Sequence, residues 1–291
     1  MFDSITGLGK AAVTVPGLNG HESLTTESEA HPDVDSIGQS SLEAPEERTR
    51  SIQLGAVSPL LSPNEGMAYA SEQYRILRTR ICQLLKRPFQ LVITSPTIGD
   101  GKTITAVNVA TAMALRSNEQ TLLIDADLRR SSIHRVLQVP NDCGLVDVLQ
   151  GTRKLEDAVF RSEEVPCLHV LTAGTPPGNP AELLDSDAWR ELARTARARF
   201  GQIIIDSPPV EVVADFDLIA GQCDGVALVL RPDHTNRTLT LQTIKKLKPK
   251  LTGVIINVYP EWFLWKRPSH QGYYYYKSRP DPAPAKRKAT K

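Results

Sequence analysis

Long hydrophobic runs are missing from this 291-residue chain. The longest uninterrupted apolar stretches, such as Val226 to Leu230, fall far short of the ~20 residues that a membrane helix needs. Residues 1–10 lack the basic start and apolar core of a secretory signal, so no leader is expected. Cysteine is scarce. The four present, Cys82, Cys143, Cys167 and Cys223, have neither zinc-site spacing nor the density of a disulfide scaffold, and read as reduced thiols in or near a core. An excess of charge is also lacking, since 34 Lys and Arg against 33 Asp and Glu leave a net +1. The balance is uneven, however. Acidic residues dominate positions 21–50, and residues 266–291 carry eight Lys and Arg against one acid. Such a basic end can meet anionic lipid, nucleic acid or an acidic protein face, or simply stay solvated. What remains, 41% hydrophobic and 23% charged residues, is the composition of a soluble globular protein.

Residues 1–65 are rich in Ser, Glu, Gly, Pro and Thr without an apolar period, and read as a disordered segment. Over 67–86, Tyr74, Leu77, Ile81 and Leu84/Leu85 recur at helical spacing, and Pro88 ends the helix. Short apolar strands then alternate with helices. The strands are expected at 90–94, 121–125, 168–171, 202–206, 225–231 and 253–258. The helices are expected at 102–116, 132–138, 145–149, 180–199, 215–222 and 236–247. This alternation predicts an α/β fold with a doubly wound, mostly parallel sheet flanked by helices over residues 66–258. Residues 259–291 read as a flexible, tyrosine-rich basic tail.

The chemistry begins after the first of these strands, at Ser95-Pro96-Thr97-Ile98-Gly99-Asp100-Gly101-Lys102-Thr103. A loop that binds phosphate must bring backbone N–H groups onto an anion, and Gly99 and Gly101 let the chain wrap closely. Lys102 would reach the β and γ phosphates and Thr103 would place its hydroxyl on Mg2+. Gly99, Asp100, Gly101, Lys102, Thr103 and Ile104 are therefore candidate nucleotide contacts. The usual pattern has a glycine where Pro96 stands, so the match fails at its first position. Two apolar strands end in acids, one at Asp125-Ala126-Asp127 and one at Asp206. In a parallel sheet all three motifs fall on one edge. Four adjacent tyrosines, Tyr273, Tyr274, Tyr275 and Tyr276, are plausible phosphoryl acceptors; an aromatic adhesive or an edge strand is the plainer alternative. From Val258 to Tyr276 an extended chain reaches up to ~60 Å, enough to enter a neighbouring subunit's site.

This combination resembles the bacterial tyrosine kinase family (BY-kinases) of capsule and exopolysaccharide production, P-loop ATPases with a second acidic Walker motif. The resemblance rests on the loop at 95–103, Asp125-Ala-Asp-Leu-Arg129, Pro177-Gly-Asn-Pro-Ala-Glu-Leu-Leu184, Asp206-Ser-Pro-Pro209, Asp224-Gly-Val226, Gly253-Val-Ile-Ile-Asn257 and the tyrosine tail. Relatives that partition DNA or position division sites carry an early lysine in the loop; Thr97 occupies that position here. The resemblance implies a P-loop NTPase fold and ATP with Mg2+. It makes Lys102, Asp125, Asp127 and Asp206 the catalytic set, Thr103, Asp127 and Asp206 the metal contacts, and Asn257 a nucleotide contact. A tyrosine hydroxyl has a reference pKa of ~10 and needs a base or a strong field, for which Asp125 is the favoured candidate. The resemblance also implies ring-like homo-oligomers through Glu72, Arg75 and Arg78 of the family's ExxRxxR pattern. It further implies a separate membrane-embedded polysaccharide co-polymerase as activator, a cytoplasmic place at the inner face of the membrane through that partner, and no specific nucleic acid. The competing expectations are a nucleotide-switched scaffold that hydrolyses ATP without tyrosine transfer, and a DNA-partition ATPase.

Overall fold

The computed structural model describes residues 11–14, 50–52, 54, 58, 60, 65–232 and 234–257. Their elements are β1 (Ala11–Thr14), β2 (Arg50–Ile52), α1 (Glu65–Leu84), β3 (Phe89–Thr94), α2 (Lys102–Ala114), β4 (Thr121–Asp125), α3 (Ile133–Leu137) and α4 (Leu145–Leu149). There follow α5 (Leu155–Ala158), β5 (Phe160–Ser162), β6 (Leu168–Leu171), α6 (Pro180–Leu184), α7 (Asp187–Arg199), β7 (Gln202–Asp206), α8 (Asp215–Gly221), β8 (Gly225–Leu230), α9 (Arg237–Leu247) and β9 (Leu251–Asn257).

The sheet runs β1-β9-β8-β3-β7-β4-β6-β5-β2. The six strands from β9 to β6 are parallel to their neighbours, and the antiparallel pairings are β1 with β9 and β5 with β6. The inner strands are buried on both faces, which is why they read as continuous apolar runs. Their side chains divide by the strand period of two. Val92, Leu122, Ile124, Ile203, Ile205 and Leu228 face a core closed by Leu145 of α4, Trp189 and Leu192 of α7, and Phe216 and Ile219 of α8. Leu91, Ile93, Leu123, Ile204 and Val229 face the opposite core, closed by Tyr74, Leu77 and Ile81 of α1 and by Val107, Ala110 and Met113 of α2. Three layers result, as the alternation predicted.

Two differences from the sequence reading have local causes. Residues 180–199 form two helices because Asp185 ends α6 and Ser186 caps α7, its Oγ accepting from Trp189 N at 3.3 Å while donating to Leu183 O. Residues 1–65 are not free of ordered structure, since β1 and β2 pair with β9 and β5. Ile52 and Leu54 are buried, and Leu54 N donates to Glu164 Oε2 at 2.6 Å. So few apolar residues set no period, yet Ile52 and Leu54 join the core beneath α1 and α2.

Candidate active site

The three acidic or phosphate-type motifs lie where β3, β4 and β7 end side by side. Asp125 and Asp206 are direct register partners on β4 and β7, and Asp206 also stands opposite Ile93, two residues before Ser95. The loop then enters α2 through Gly101 at φ 91, a left-handed conformation that favours glycine. No side chain caps this helix, so its first N–H groups and the positive end of its dipole are left for an anion.

Four of the predicted residues meet here. Lys102 Nζ lies 2.9 Å from Asp127 Oδ2 and 3.7 Å from Asp206 Oδ1. Thr103 Oγ1 donates to Asp206 Oδ2 at 2.6 Å and is 2.9 Å from Ser132 Oγ. Burial opposes the charge on Lys102, but Asp206 and Asp127 outweigh it and hold its pKa above the usual lysine value. Burial raises the pKa of Asp206, with Lys102 and the Thr103 hydroxyl pulling the other way. Burial and the charge of Asp206 also raise that of Asp125, against the N–H groups of Ile133 and Ser132. Three acids therefore share one lysine in a low-dielectric site, a balance that a further cation would improve.

Asp125 is placed differently from the proton acceptor favoured on the sequence. It is fully buried, its Oδ2 accepts from Ser132 N and Ile133 N at 3.0 Å each, and its Oδ1 accepts from Asp127 N at 3.3 Å. Its oxygens are engaged in shaping the turn from Asp127 to α3. A base must reach the hydroxyl it deprotonates, and here three backbone N–H groups occupy the Asp125 oxygens.

The geometry fits a magnesium nucleotide. Among the described residues, buried Asp206 Oδ1 has no hydrogen-bond partner, and Lys102 Nζ lies 3.7 Å from it. Among the described residues, no three His, Cys, Asp or Glu side chains converge as a complete metal cage. Mg2+ is commonly held by one or two carboxylates with phosphate oxygens and water, which suits Thr103, Asp127 and Asp206.

Comparison with known proteins narrows what this site serves. No family model matches the sequence. Tyrosine-protein kinase YwqD of Bacillus subtilis (strain 168) is 37% identical over 203 residues, 68% of this chain and 85% of that protein. The chain belongs to the bacterial tyrosine-protein kinase family. Tyrosine-protein kinase ptk of Acinetobacter johnsonii is 35% identical over 205 residues, but the match spans only 28% of that longer protein. Among solved structures, the chimerical protein CapA2B2 superimposes with a TM-score of 0.64 at 31% identity, covering 72% of this chain and 93% of that one.

Other predicted residues of this tyrosine kinase fall at separate places. Ile104 is 42% exposed on the first turn of α2. Asn257, at the end of β9, donates from Nδ2 to the carbonyl of Asp100 at 3.0 Å. A Cβ on residue 101 would come within 1.9 Å of that Nδ2, so this approach requires glycine there. Glu72 and Arg75 are exposed on the outer side of α1, away from Tyr74, Leu77 and Ile81, and paired at 3.2 Å, while Arg78 is half-buried at the flank of that buried face. Tyr273 to Tyr276 lie outside the described residues. Among the described residues, no helix is long and apolar enough to cross a membrane.

Sequence reasoning missed two tertiary features. Arg129 grips Asp215 at the start of α8 with Nε and Nη2 at 2.7 and 3.1 Å, tying the second acidic motif to the chain that follows Asp206. Only the Asp-Ala-Asp-Leu-Arg pattern hinted that Arg129 mattered. His234 and Thr235 reach Asp100 across 134 and 135 positions of sequence, for which no local signal exists.

Proposed function

We propose that this kinase transfers the γ-phosphoryl group of ATP to the tail tyrosines Tyr273 to Tyr276, with Mg2+, mainly between subunits of a ring-like homo-oligomer, and that it thereby regulates capsule or exopolysaccharide synthesis. The observation that carries this reading is the convergence of Lys102, Thr103, Asp127 and Asp206 on the uncapped start of α2. The magnesium nucleotide, when bound, supplies the phosphoryl group and a cation to spread its charge. Lys102 and the first N–H groups of α2 hold the phosphates. Thr103 and Asp206 orient the cation, and Asp125 keeps the turn before α3 in shape. Asp127 takes the tyrosine proton once Lys102, which holds it at 2.9 Å here, turns to the phosphates. Incubation with labelled ATP and Mg2+ tests the reading. Phosphotyrosine on the tail, lost when all four tyrosines become phenylalanine, is the expected result; released phosphate without phosphotyrosine would establish a nucleotide-switched scaffold instead.

The partner we propose is a membrane-embedded polysaccharide co-polymerase on a separate polypeptide, holding the kinase at the inner face of the membrane. Self-association would use the outer side of α1. Glu72 and Arg75 are about half exposed and bonded within one chain, an i,i+3 pair worth only ~0.2–0.5 kcal/mol to the helix. Reversing the charge at Arg75 and Arg78 should therefore spare the fold while dissociating the oligomer. Light scattering checks this, and an unchanged mass beside an oligomeric wild type would refute it.

A further inference from the structure

The phosphate loop contains an acid where it should be least welcome. Asp100 lies between the two left-handed glycines, Gly99 and Gly101, and is fully buried. A carboxylate inside an anion-binding loop competes with phosphate for the same N–H groups unless other donors occupy it. Here they do. Asp100 Oδ2 accepts from Thr97 N at 3.1 Å and from Thr97 Oγ1 at 2.9 Å, and so fastens the loop to itself. Asp100 Oδ1 accepts from Thr235 Oγ1 at 2.7 Å and lies 2.9 Å from His234 Nδ1, both in the turn between β8 and α9. An ionised aspartate only accepts, so Nδ1 carries the proton of that imidazole. Asn257 holds the carbonyl of the same residue from β9.

We infer that His234 and Thr235 are positioning residues for the nucleotide: by occupying Asp100 Oδ1, they leave the carboxylate only its Oδ2 contact with Thr97 on the loop and fix the loop in its phosphate-binding shape. Neither needs to touch the nucleotide. Without them Asp100 Oδ1 is free to take further N–H groups of its own loop and compete with the incoming phosphate. Thr235 Oγ1 also accepts from Arg231 N at 3.0 Å and lies 3.0 Å from the Arg231 carbonyl, which competes with Asp100 for its single proton. A purely local role in that turn is thus the rival account, and Asp100 discriminates between the two.

The inference rests on reading the loop as a nucleotide site, so the test reads binding directly, by calorimetric titration of the full chain with Mg-ADP. Thr235→Val and the double variant His234→Phe/Thr235→Val should weaken binding about tenfold or more, the loss expected when a hydrogen bond to a charged group is removed. Thr235→Ser, which keeps the hydroxyl, should bind within about twofold of wild type, and thermal melting confirms that each variant is folded. In an Asp100→Ala background, adding Thr235→Val should have no further effect, because both act through one carboxylate. Binding by folded Thr235→Val within threefold of wild type overturns the inference. So does the same loss in the Asp100→Ala background, which would mean that the threonine serves only its own turn. A wild type that does not bind Mg-ADP overturns the nucleotide reading itself.

Discussion

Lys102→Met is expected to lower phosphate incorporation into the tail by about a thousandfold or more, while the protein still melts cooperatively. Both halves follow from the surroundings of Lys102. Its ammonium is the only cation within 4 Å of Asp127 and Asp206 among the described residues, and its side chain is 12% exposed. In phosphoryl transfer the catalytic effect is almost wholly positioning and charge stabilisation, so an ammonium aimed at the transferring group has no substitute nearby. Methionine keeps much of the stem and its packing. Loss of the charge leaves Asp125, Asp127 and Asp206 without their lysine, which favours protonation of a buried acid and not collapse of the sheet. Phosphotyrosine from labelled ATP measures the first half and calorimetric melting the second. Incorporation within tenfold of wild type in a folded Lys102→Met protein would remove this residue from the chemistry.

Mixing two defective subunits should restore labelling on one of them only. The first carries Lys102→Met with all four tail tyrosines intact. The second is active but has phenylalanine at 273, 274, 275 and 276. If transfer runs between subunits, label appears on the first and none on the second, an all-or-none contrast set by which chain holds the acceptor. No label on either, with wild type active in parallel, would place the transfer within one chain. Each phosphate adds about −1.5 to −2 charges at neutral pH. Several of them reverse the sign of a tail that is basic in sequence and set it against the acidic motifs that modified it. Tail phosphorylation should therefore lower the mass of the assembly, which light scattering before and after ATP addition checks.

The layers and most elements were legible in the sequence because burial on both faces makes a strand a continuous apolar run, and Ile203-Ile204-Ile205 before Asp206 leaves little ambiguity. The motif residues were legible because each sits at a strand end with its chemistry in view. What escaped was set by tertiary contact. Ser186 splits a helix that its neighbours would continue, and Ile52 and Leu54 add to a core from a segment whose composition reads as disordered. The roles of the acids also escaped. Asp125 and Asp127 are two residues apart and identical in type, yet three N–H groups surround the first while the second meets Lys102 and Arg130 N. The tie from the turn after β8 to Asp100 has no counterpart in any local pattern.

The antiparallel pairing of β1 with β9 sets Ala11 opposite Asn257, and Asn257 touches the phosphate loop. The backbone that continues past Asn257 toward the tyrosines is therefore launched from the rim of its own catalytic cleft. Fourteen residues lie between Val258 and Tyr273, and a flexible linker of that length would hold its end at roughly millimolar effective concentration around its anchor. In the proposed ring, a neighbour's cleft must compete with that. If the mixing experiment shows exchange between subunits, selection of the neighbour cannot come from proximity.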